Sequence, residues 1–563
     1  MITELLKTEI EKAVRSVGFA MPADYSLLAP PKKEMGDFAT NIALIISKAN
    51  RENMSKDVAD KLILELDKSE IIRSVTAAGP GFINIFLKDK LFYDELKKIL
   101  DIQENYGRSN IGNGKTANVE YVSANPTGPL HIGNARGGPI GESIANLFTF
   151  YGFRVRREFY INDVGVQIEK LGSALCYWYE VKHDERTEFP VGGYPGDYVK
   201  EISEEIQKTK KDELKNIEDH TQLVEYFAKE GLLILIRQIK EACELIGISY
   251  DEWMEESEIQ SSGKTDEVIE LLQEKDFTVR REGALWFKRE NDPEFSDKES
   301  VLKRSDQGQT PTYFADDIAY HKDKFDRGAD ILVDVWGANH HGHIDRLKSA
   351  VEALDYDVKN FHIILYQYVR LKNAGEILKM SKREGNFVTL KEVIENGVAP
   401  DAFKYFILAQ NPNTPFDFDI KEAADTSEKN PVYYIKYAHA RICSILAKSG
   451  TGRIGSISAG EIDGSYIKNA DLKLLKENSE MDLIKGILEF PEILDDIIEN
   501  YQIQLLPHYT YKIASLFHNF YTKCQVLTED KELTNARLAL ITATKHTIAN
   551  ALQILDIEAP EKM

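Results

Sequence analysis

Apolar residues recur at helical spacing from the start of the chain. Ile2, Leu5, Leu6, Ile10, Ala13, Val14 and Val17 predict an amphipathic helix that ends near Gly18. Gly79-Pro80-Gly81 followed by Phe82-Ile83-Asn84-Ile85-Phe86 predicts a turn and a strand, so residues 1–110 read as a small α+β unit. From about residue 115 the pattern changes. A strand at 118–123, a breaker-rich loop at 125–129, a helix over 131–151 and a strand at 154–160 make a βαβ unit of a parallel sheet. Pro139 falls inside that helix, which must therefore kink or start later. Strands at 331–336 and 361–366, with a helix at 345–354 between them, supply the other half of the sheet. The charged stretch 181–304 between the halves reads as a partly helical insertion. Beyond 390 the pattern is mainly helical, with candidate helices at 433–446, 481–500, 505–524 and 533–555 in series, as in a bundle. The organisation expected is 1–110, then 111–390 with its insertion, a connecting segment 391–429, and a helical domain 430–563.

The length of 563 residues fits about three to four domains. The net charge of −22 argues against a non-specific polyanion binder, but leaves room for RNA recognition through local patches. The four cysteines, Cys176, Cys243, Cys443 and Cys524, form neither a CxxC pair nor a Cys/His cluster, so the spacing predicts no metal site and fits a reducing compartment. There is no apolar run of about 18 residues and no apolar leader, which predicts a cytoplasmic protein with no membrane span.

Two constellations carry chemistry. The first is Ala124-Asn125-Pro126-Thr127-Gly128-Pro129-Leu130-His131-Ile132-Gly133-Asn134, between a strand and a helix, where parallel sheets bind ligands. An imidazole beside free backbone N–H groups at a helix start can donate to phosphate oxygens, and Gly133 lets a purine or ribose approach the backbone. Alone, the same segment is equally a proline-rich loop with an ordinary capping histidine. The second is Lys379-Met380-Ser381-Lys382-Arg383, two lysines flanking a small hydroxyl, which can neutralise a polyphosphate. Alone, such a run is more often a solvated basic turn.

Together, one on each half of a split sheet, the two resemble the HIGH and KMSK signatures of class I aminoacyl-tRNA synthetases. Residues 119–134, Tyr160-Ile-Asn-Asp-Val-Gly-Val-Gln-Ile168, Tyr313-Phe-Ala-Asp-Asp-Ile-Ala-Tyr-His321, Trp336-Gly-Ala-Asn-His-His-Gly342, Pro431-Val-Tyr-Tyr-Ile-Lys-Tyr-Ala-His-Ala-Arg441 and the terminal 557–563 are similar to the arginyl-tRNA synthetase family. The likeness spans nearly the whole chain. It implies an α/β fold: a class I synthetase Rossmann-type parallel-sheet catalytic domain, an N-terminal α+β domain and a C-terminal all-α helical bundle.

By that resemblance the chain is an arginine–tRNA ligase, a monomer that joins L-arginine to tRNA(Arg) with ATP through an arginyl-adenylate. His131, Asn134, Lys379 and Lys382 would act on the phosphates. Gly133, Gly337, Asn339, His340, Met380 and Ser381 would complete the ATP site. Mg²⁺ would arrive with ATP, held mostly by phosphates and water. Glu120, Asn125, Tyr313 and Asp317 would bind arginine, with Asp317 and Tyr313 on the guanidinium and Asn125 at the α-amino and carboxylate end. Tyr434, Tyr437 and Arg441, with His439, would read the anticodon, and Phe38 and Asn41 would touch the tRNA elbow. Arg154, Arg156 and Arg157 would meet stem phosphates or be structural. Two departures stand out: Asn134 replaces the last histidine of the first signature, and Asn339 stands where aspartate is common. A synthetase for another amino acid such as cysteine, a small nucleotidyltransferase, and an RNA-binding module with a decayed site are the competing readings. The absence of zinc-ligand spacing, the helical C-terminal third and the intact His131 and lysine pair weigh against them in turn.

Overall fold

The computed structural model describes residues 2–50, 54–182, 187–289, 300–306, 308–378, 388–449 and 470–563. The amphipathic start forms α1 (Ile2–Ser16), which buries Ile2, Leu6, Ile10, Ala13 and Val14. With α2 (Ile42–Ala49) and α3 (Ser55–Leu66) it accompanies an antiparallel sheet of β1 (Leu27–Leu28), β2 (Phe38–Thr40), β3 (Ile72–Ala78) and β4 (Phe82–Leu87), ordered β1-β2-β4-β3. The 79–81 turn is the bend of a hairpin, so a strand precedes it that the apolar pattern did not reveal. Only Ile72 and Val75 of β3 are buried, which leaves too few apolar positions to show an alternation. Helix α4 (Asp89–Ile102) leads out of this domain.

The central domain is a fully parallel five-stranded sheet. Its strands are β5 (Thr116–Tyr121), β6 (Arg154–Ile161) and β7 (Glu252–Glu255), then, after a small antiparallel sheet of β8 (Thr278–Arg281), β9 (Ala284–Phe287) and β10 (Val301–Lys303), β11 (Ile331–Gly337) and β12 (Phe361–Tyr366). The order is β12-β11-β5-β6-β7. The stretch 181–304 is therefore not one insertion, since β7 inside it returns to pair with β6. The helix expected over 131–151 begins as α5 (Ile132–Ala135) and restarts as α6 (Gly137–Phe150). Pro139 lies in the first turn of α6, where its missing N–H is tolerated. At the break, the buried Arg136 guanidinium donates to the carbonyls of Gln367 (2.7 Å), Asn411 (3.0 Å) and Thr414 (3.0 Å), tying the junction to the connecting segment.

One face of the sheet carries Val119, Val333, Val335 and Phe159 against α6. The other face carries a row of acids. Asp334, Glu120, Glu158 and Glu252 stand opposite one another in register across four adjacent strands. Four like charges side by side are unfavourable unless cations cover them. The helices after β6 are α7 (Val166–Glu180), α8 (Asp197–Thr209), α9 (Lys211–Leu214), α10 (His220–Leu245), α11 (Glu256–Ser261), α12 (Lys264–Glu274) and α13 (Tyr313–Asp326). It is α13 that supplies the counter-charges. The fully buried Lys324 ammonium donates to Glu120 (2.5 Å) and Asp334 (2.9 Å), while the Arg327 guanidinium following α13 binds Glu158 (2.9 Å) and Glu252. His321 Nε2 adds a contact to Asp334 (2.8 Å) and Tyr320 donates to Glu158 (2.5 Å). Burial pushes the Glu120 carboxyl up despite Lys324, whereas Lys324 and His321 together hold Asp334 down. This lattice sets how α13 lies on the sheet, and so where the start of α13 projects.

After α14 (Ile344–Ala353), the connecting segment holds β13 (Val369–Asn373), β14 (Glu376–Ile377) and β15 (Phe416–Asp419) with α15 (Leu390–Glu395), α16 (Pro400–Leu408) and α17 (Ile420–Ala423). The bundle follows: α18 (Pro431–Lys448), α19 (Asn478–Leu488), α20 (Phe490–Asn500), α21 (Leu505–Lys523) and α22 (Lys531–Ile554). The single helix expected over 481–500 is two, because Pro491 opens a new helix after Glu489. The bundle is not an appendage. Asn550 donates to the carbonyls of Glu104 (3.1 Å) and Tyr106 (2.8 Å), Tyr93 to Leu475 O (2.8 Å), and Tyr151 to Asp495 (2.6 Å). Among the described residues, no helix is long and apolar enough to cross a membrane.

Candidate active site

The site begins where β5 ends in a sharp turn. Val122 (φ 68°) and Ser123 (φ 35°) both lie in the left-handed region, which a β-branched residue rarely enters and which costs about 1–3 kcal/mol per residue. Neighbouring strands hold the turn: Ser123 Oγ accepts from the Tyr160 N–H (3.1 Å), and the Tyr250 hydroxyl donates to Tyr121 O (3.2 Å). The chain then runs through residues 124–130 to His131, which caps α5. His131 Nδ1 accepts from the Asn134 N–H at 3.2 Å, so the neutral ring carries its proton on Nε2. Glycine at 133 has a second reason beyond ligand approach, because a Cβ there would come within 3.1 Å of the His131 ring.

The His131 loop is stitched to the segment that follows the second signature. The Leu390 N–H donates to Leu130 O (2.8 Å), the Ile132 N–H to Val388 O (3.4 Å), and His131 pairs with Thr389 as an isolated antiparallel bridge. Thr389 and Glu392 form a capping box that starts α15 at this point. Lys379, Met380, Ser381 and Lys382 themselves lie outside the described residues.

A cleft of about 410 Å³ opens at the carboxyl ends of β5, β6 and β11. One end is acidic. Asp317 and Tyr313 share a face of α13, and Glu256 opens α11 opposite them. Tyr313 Oη rests on the backbone at Gly165; a Cβ on Gly165 (φ 87°) would lie 1.9 Å from that oxygen. Asp317 Oδ2 sits 2.8 Å from His343 Nε2, close enough for an ion pair but misaligned for a hydrogen bond. Glu256 is 2% exposed, and its Oε2 has no hydrogen-bond partner among the described residues. Burial, and then the nearby Asp316, Asp317 and Asp163, push its carboxyl up to about 8. The buried Tyr160 hydroxyl, stacked through its ring on Tyr320 (4.3 Å), is likewise without a partner among the described residues. Both residues border the cleft, where a bound ligand can partner these atoms. An unpaired carboxylate, a second carboxylate and a tyrosine in a small cleft are matched by a planar cation.

Elsewhere in the cleft, Asn125 donates to Gln167 Oε1 (3.2 Å) at the start of α7, and Asn134 lies on the wall. Gly337, Asn339 and His340 line the far side, where a Cβ on Gly337 would meet Asn339 Oδ1 at 2.7 Å and burial pushes the His340 ring down. Glu120 also borders the cleft, but its carboxylate is engaged by Lys324 beneath it. Sequence reasoning missed Glu256, Gly165, Gln167, Tyr160 and His343 as site residues. Three of them sit in a segment already singled out, 160–168, with no role assigned; Glu256 lies in the charged stretch taken as an insertion.

On the bundle, Tyr434, Tyr437 and Arg441 share one face of α18, and α21 extends that face. His518 packs on Tyr434 (4.4 Å) and Tyr437 (5.8 Å), and Arg441 covers the Tyr437 ring (5.3 Å) and the Tyr521 ring (5.2 Å). Tyr437, Tyr511 and Tyr521 are exposed. His439, expected in this patch, points the other way: it is buried, with Nδ1 2.8 Å from Pro560 O, because its position falls on the inward face of α18. In the N-terminal domain Phe38 and Asn41 are half-buried, and Asn41 Oδ1 accepts from the Ser26 N–H (2.8 Å). The three arginines of β6 are occupied within the fold: Arg154 with Gly114 O (2.9 Å), Arg156 with Arg327 O (3.2 Å), and Arg157 with Glu142 (3.1 Å) and Asn146 (2.7 Å).

Comparison with known proteins agrees along the whole chain. Residues 3–87 match the arginyl tRNA synthetase N terminal domain, 95–440 the catalytic domain of class I tRNA synthetases (R), and 435–563 the DALR anticodon binding domain. The arginine–tRNA ligase of Heliobacterium modesticaldum is 39% identical over 96% of this chain and 94% of its own length. That of Caldanaerobacter subterraneus subsp. tengcongensis is 40% identical over 97% and 95%. The solved structure of Thermus thermophilus arginyl-tRNA synthetase, 21% identical, superimposes with a TM-score of 0.75 over the full length of both chains.

Proposed function

We propose, on the premise that the chain belongs to the arginyl-tRNA synthetase family, a division of labour among its residues. The chain charges tRNA(Arg) with arginine using ATP. What selects arginine is the acidic end of the cleft. Glu256 and Asp317 face the guanidinium with the Tyr313 hydroxyl beside them, and Asn125 with Gln167 holds the amino-acid end. The observation that carries this reading is the buried Glu256 side chain in the cleft wall near Asp317, its Oε2 without a partner among the described residues. A bound guanidinium supplies the positive charge that this end of the cleft lacks.

ATP lies across the turn after β5, its base and ribose near Gly337, Asn339 and His340 and its phosphates between His131 and the lysine loop. The arginine carboxylate attacks the α-phosphorus in line, and pyrophosphate leaves. Charge builds on the leaving group, where the His131 Nε2–H and the ammonium groups of Lys379 and Lys382 stabilise it, with about 2.7–4 kcal/mol typical of one such preorganised donor. Asn134, in place of histidine, donates an amide N–H to the same region without adding charge. Glu120 and Asp334 are tied to Lys324 and the acids beyond them serve the guanidinium, so Mg²⁺ enters as part of the substrate, on the ATP phosphates and water. The adenylate carbonyl is then attacked by a ribose hydroxyl of the tRNA's terminal adenosine, releasing AMP. The exposed Tyr437, with the half-buried Tyr434 and Arg441, meets splayed anticodon bases, and the N-terminal domain meets the elbow through Phe38 and Asn41. The monomer is proposed as the working unit. Cytoplasmic placement follows from these substrates.

Amino-acid-dependent ATP–pyrophosphate exchange, run with each of the amino acids and with or without tRNA, tests the assignment. Exchange with arginine alone, and only with tRNA present, is expected if the RNA completes the site. Exchange with another amino acid would overturn the roles of Glu256, Asp317 and Tyr313.

A further inference from the structure

In the helical layer formed by α7, α8 and α10, three side chains with metal-binding donors converge. Cys176 and Glu180 stand one turn apart on α7, and His220 is the first residue of α10. The Cys176 sulfur, a Glu180 carboxylate oxygen and a His220 ring nitrogen all lie within 4.8 Å of one another, a convergence found nowhere else among the described residues. His220 Nδ1 is already 2.8 Å from Glu180 Oε1. We propose that Cys176, Glu180 and His220 bind a divalent cation of the zinc class, pinning the end of α7 to the start of α10.

The donor chemistry selects the class of ion. Thiolate, imidazole and carboxylate together suit zinc and its substitute cobalt, and do not suit Mg²⁺ or Ca²⁺, which take oxygen ligands. With bonds of about 2.3 Å to sulfur and about 2.0–2.2 Å to nitrogen and oxygen, the edges of a tetrahedron run to about 3.3–3.7 Å. Closing the longest separation therefore takes roughly an ångström, within reach of the exposed His220 side chain. The environment is suitable on three counts. The sulfur sits at the edge of the apolar core of this layer, with Leu175, Phe227 and Leu223. His220 opens the site to solvent, which provides an entry path and a fourth, water-filled position. The nearest lysine in sequence, Lys182, is directed to Gln207 (3.1 Å) and Glu204 (3.5 Å). The dipole at the end of α7 favours a cation and that at the start of α10 opposes it, so the ligands themselves supply the affinity. Binding exchanges the Cys176 thiol proton for the metal bond and releases that proton to solvent. The ligands come from both sides of a long connection, which is why spacing along the chain gave no sign of them.

Cobalt titration of chelator-stripped full-length protein tests the proposal. One equivalent should bind and produce a thiolate-to-cobalt charge-transfer band. The band should vanish in Cys176→Ser, and the affinity should fall about 10–100-fold or more in His220→Gln. Cys443→Ser should leave both unchanged, a necessary control because Cys443 lies 3.9 Å from His439. Should Cys176→Ser fail to fold, His220→Gln decides, since that side chain is on the surface. Absence of the band, its survival in Cys176→Ser, or unchanged affinity in His220→Gln would overturn the proposal and leave His220 and Glu180 a simple ion pair.

Discussion

Glu256→Gln separates charge from shape at the acidic end of the cleft. In the free protein the Glu256 carboxyl titrates at about 8, so at pH 7 it is about nine-tenths protonated. A guanidinium against it favours the ionised form, so binding arginine at pH 7 must first remove that proton, at about 1.4 kcal/mol per pH unit below 8. Arginine affinity should therefore rise with pH. If the bound carboxyl titrates well below 6, the penalty factor is about 100 at pH 6, about 11 at pH 7 and about 2 at pH 8. The KM for arginine in aminoacylation, at saturating ATP and tRNA, should fall about ninefold from pH 6 to 7 and about fivefold from 7 to 8, then level off. Glutamine keeps the shape but has no proton to lose. Its variant should show a flat arginine KM over this range. A hydrogen bond to a charged group is worth about 1.5–3 kcal/mol, so the variant's KM should exceed the parent's by about 10–150-fold above pH 8. At pH 7 the same comparison shrinks by the ionisation cost, to about 1–15-fold. The ATP KM serves as the control for general pH effects. Parallel pH profiles for the parent and the variant would refute the placement of Glu256 against the guanidinium.

Three further outcomes follow from the geometry. Gly165→Ala places a Cβ 1.9 Å from the Tyr313 hydroxyl at a backbone φ of 87°, so Tyr313 must leave its seat; the arginine KM should rise about tenfold or more with the ATP KM unchanged, and an unaltered arginine KM would remove Tyr313 from the pocket. Lys324→Met leaves Glu120 and Asp334 buried without their cation, which should cost about 3–5 kcal/mol in urea unfolding at neutral pH. Burial already raises the folded-state pKa of Glu120, so protonation relieves the orphaned charge and the deficit should shrink as pH falls; a deficit independent of pH would count against the charge row. Tyr437→Ala removes an exposed ring packed on His518 and covered by Arg441, and should weaken tRNA binding by about 1–3 kcal/mol without moving the arginine KM. Equal tRNA affinity would show that this face does not stack bases.

What could be read from the chain, and what could not, divides along the range of the interactions involved. The strands β5, β6, β11 and β12 and the helix break just ahead of Pro139 follow from short apolar runs and from chemistry confined to a few neighbours. His131 and its capped helix were legible for the same reason: strand, breaker and cap are contiguous. The row Asp334, Glu120, Glu158 and Glu252 was not, because it exists only once four strands from distant parts of the chain are in register. A carboxylate such as Glu120 looks like a ligand for substrate when seen in one strand. Beside Asp334 and under Lys324 it is also part of the support that fixes α13, and through α13 the positions of Tyr313 and Asp317. Glu256 was hidden for the converse reason. A charged, partly helical stretch has many solvated carboxylates, and nothing local distinguishes the one that tertiary packing buries without a partner. The site thus depends on two opposite treatments of buried acid. In the sheet it is paired until it becomes scaffold; in the wall of the cleft one buried carboxyl oxygen is left unpaired, and under the proposed function the guanidinium completes the charge balance there and is selected by doing so.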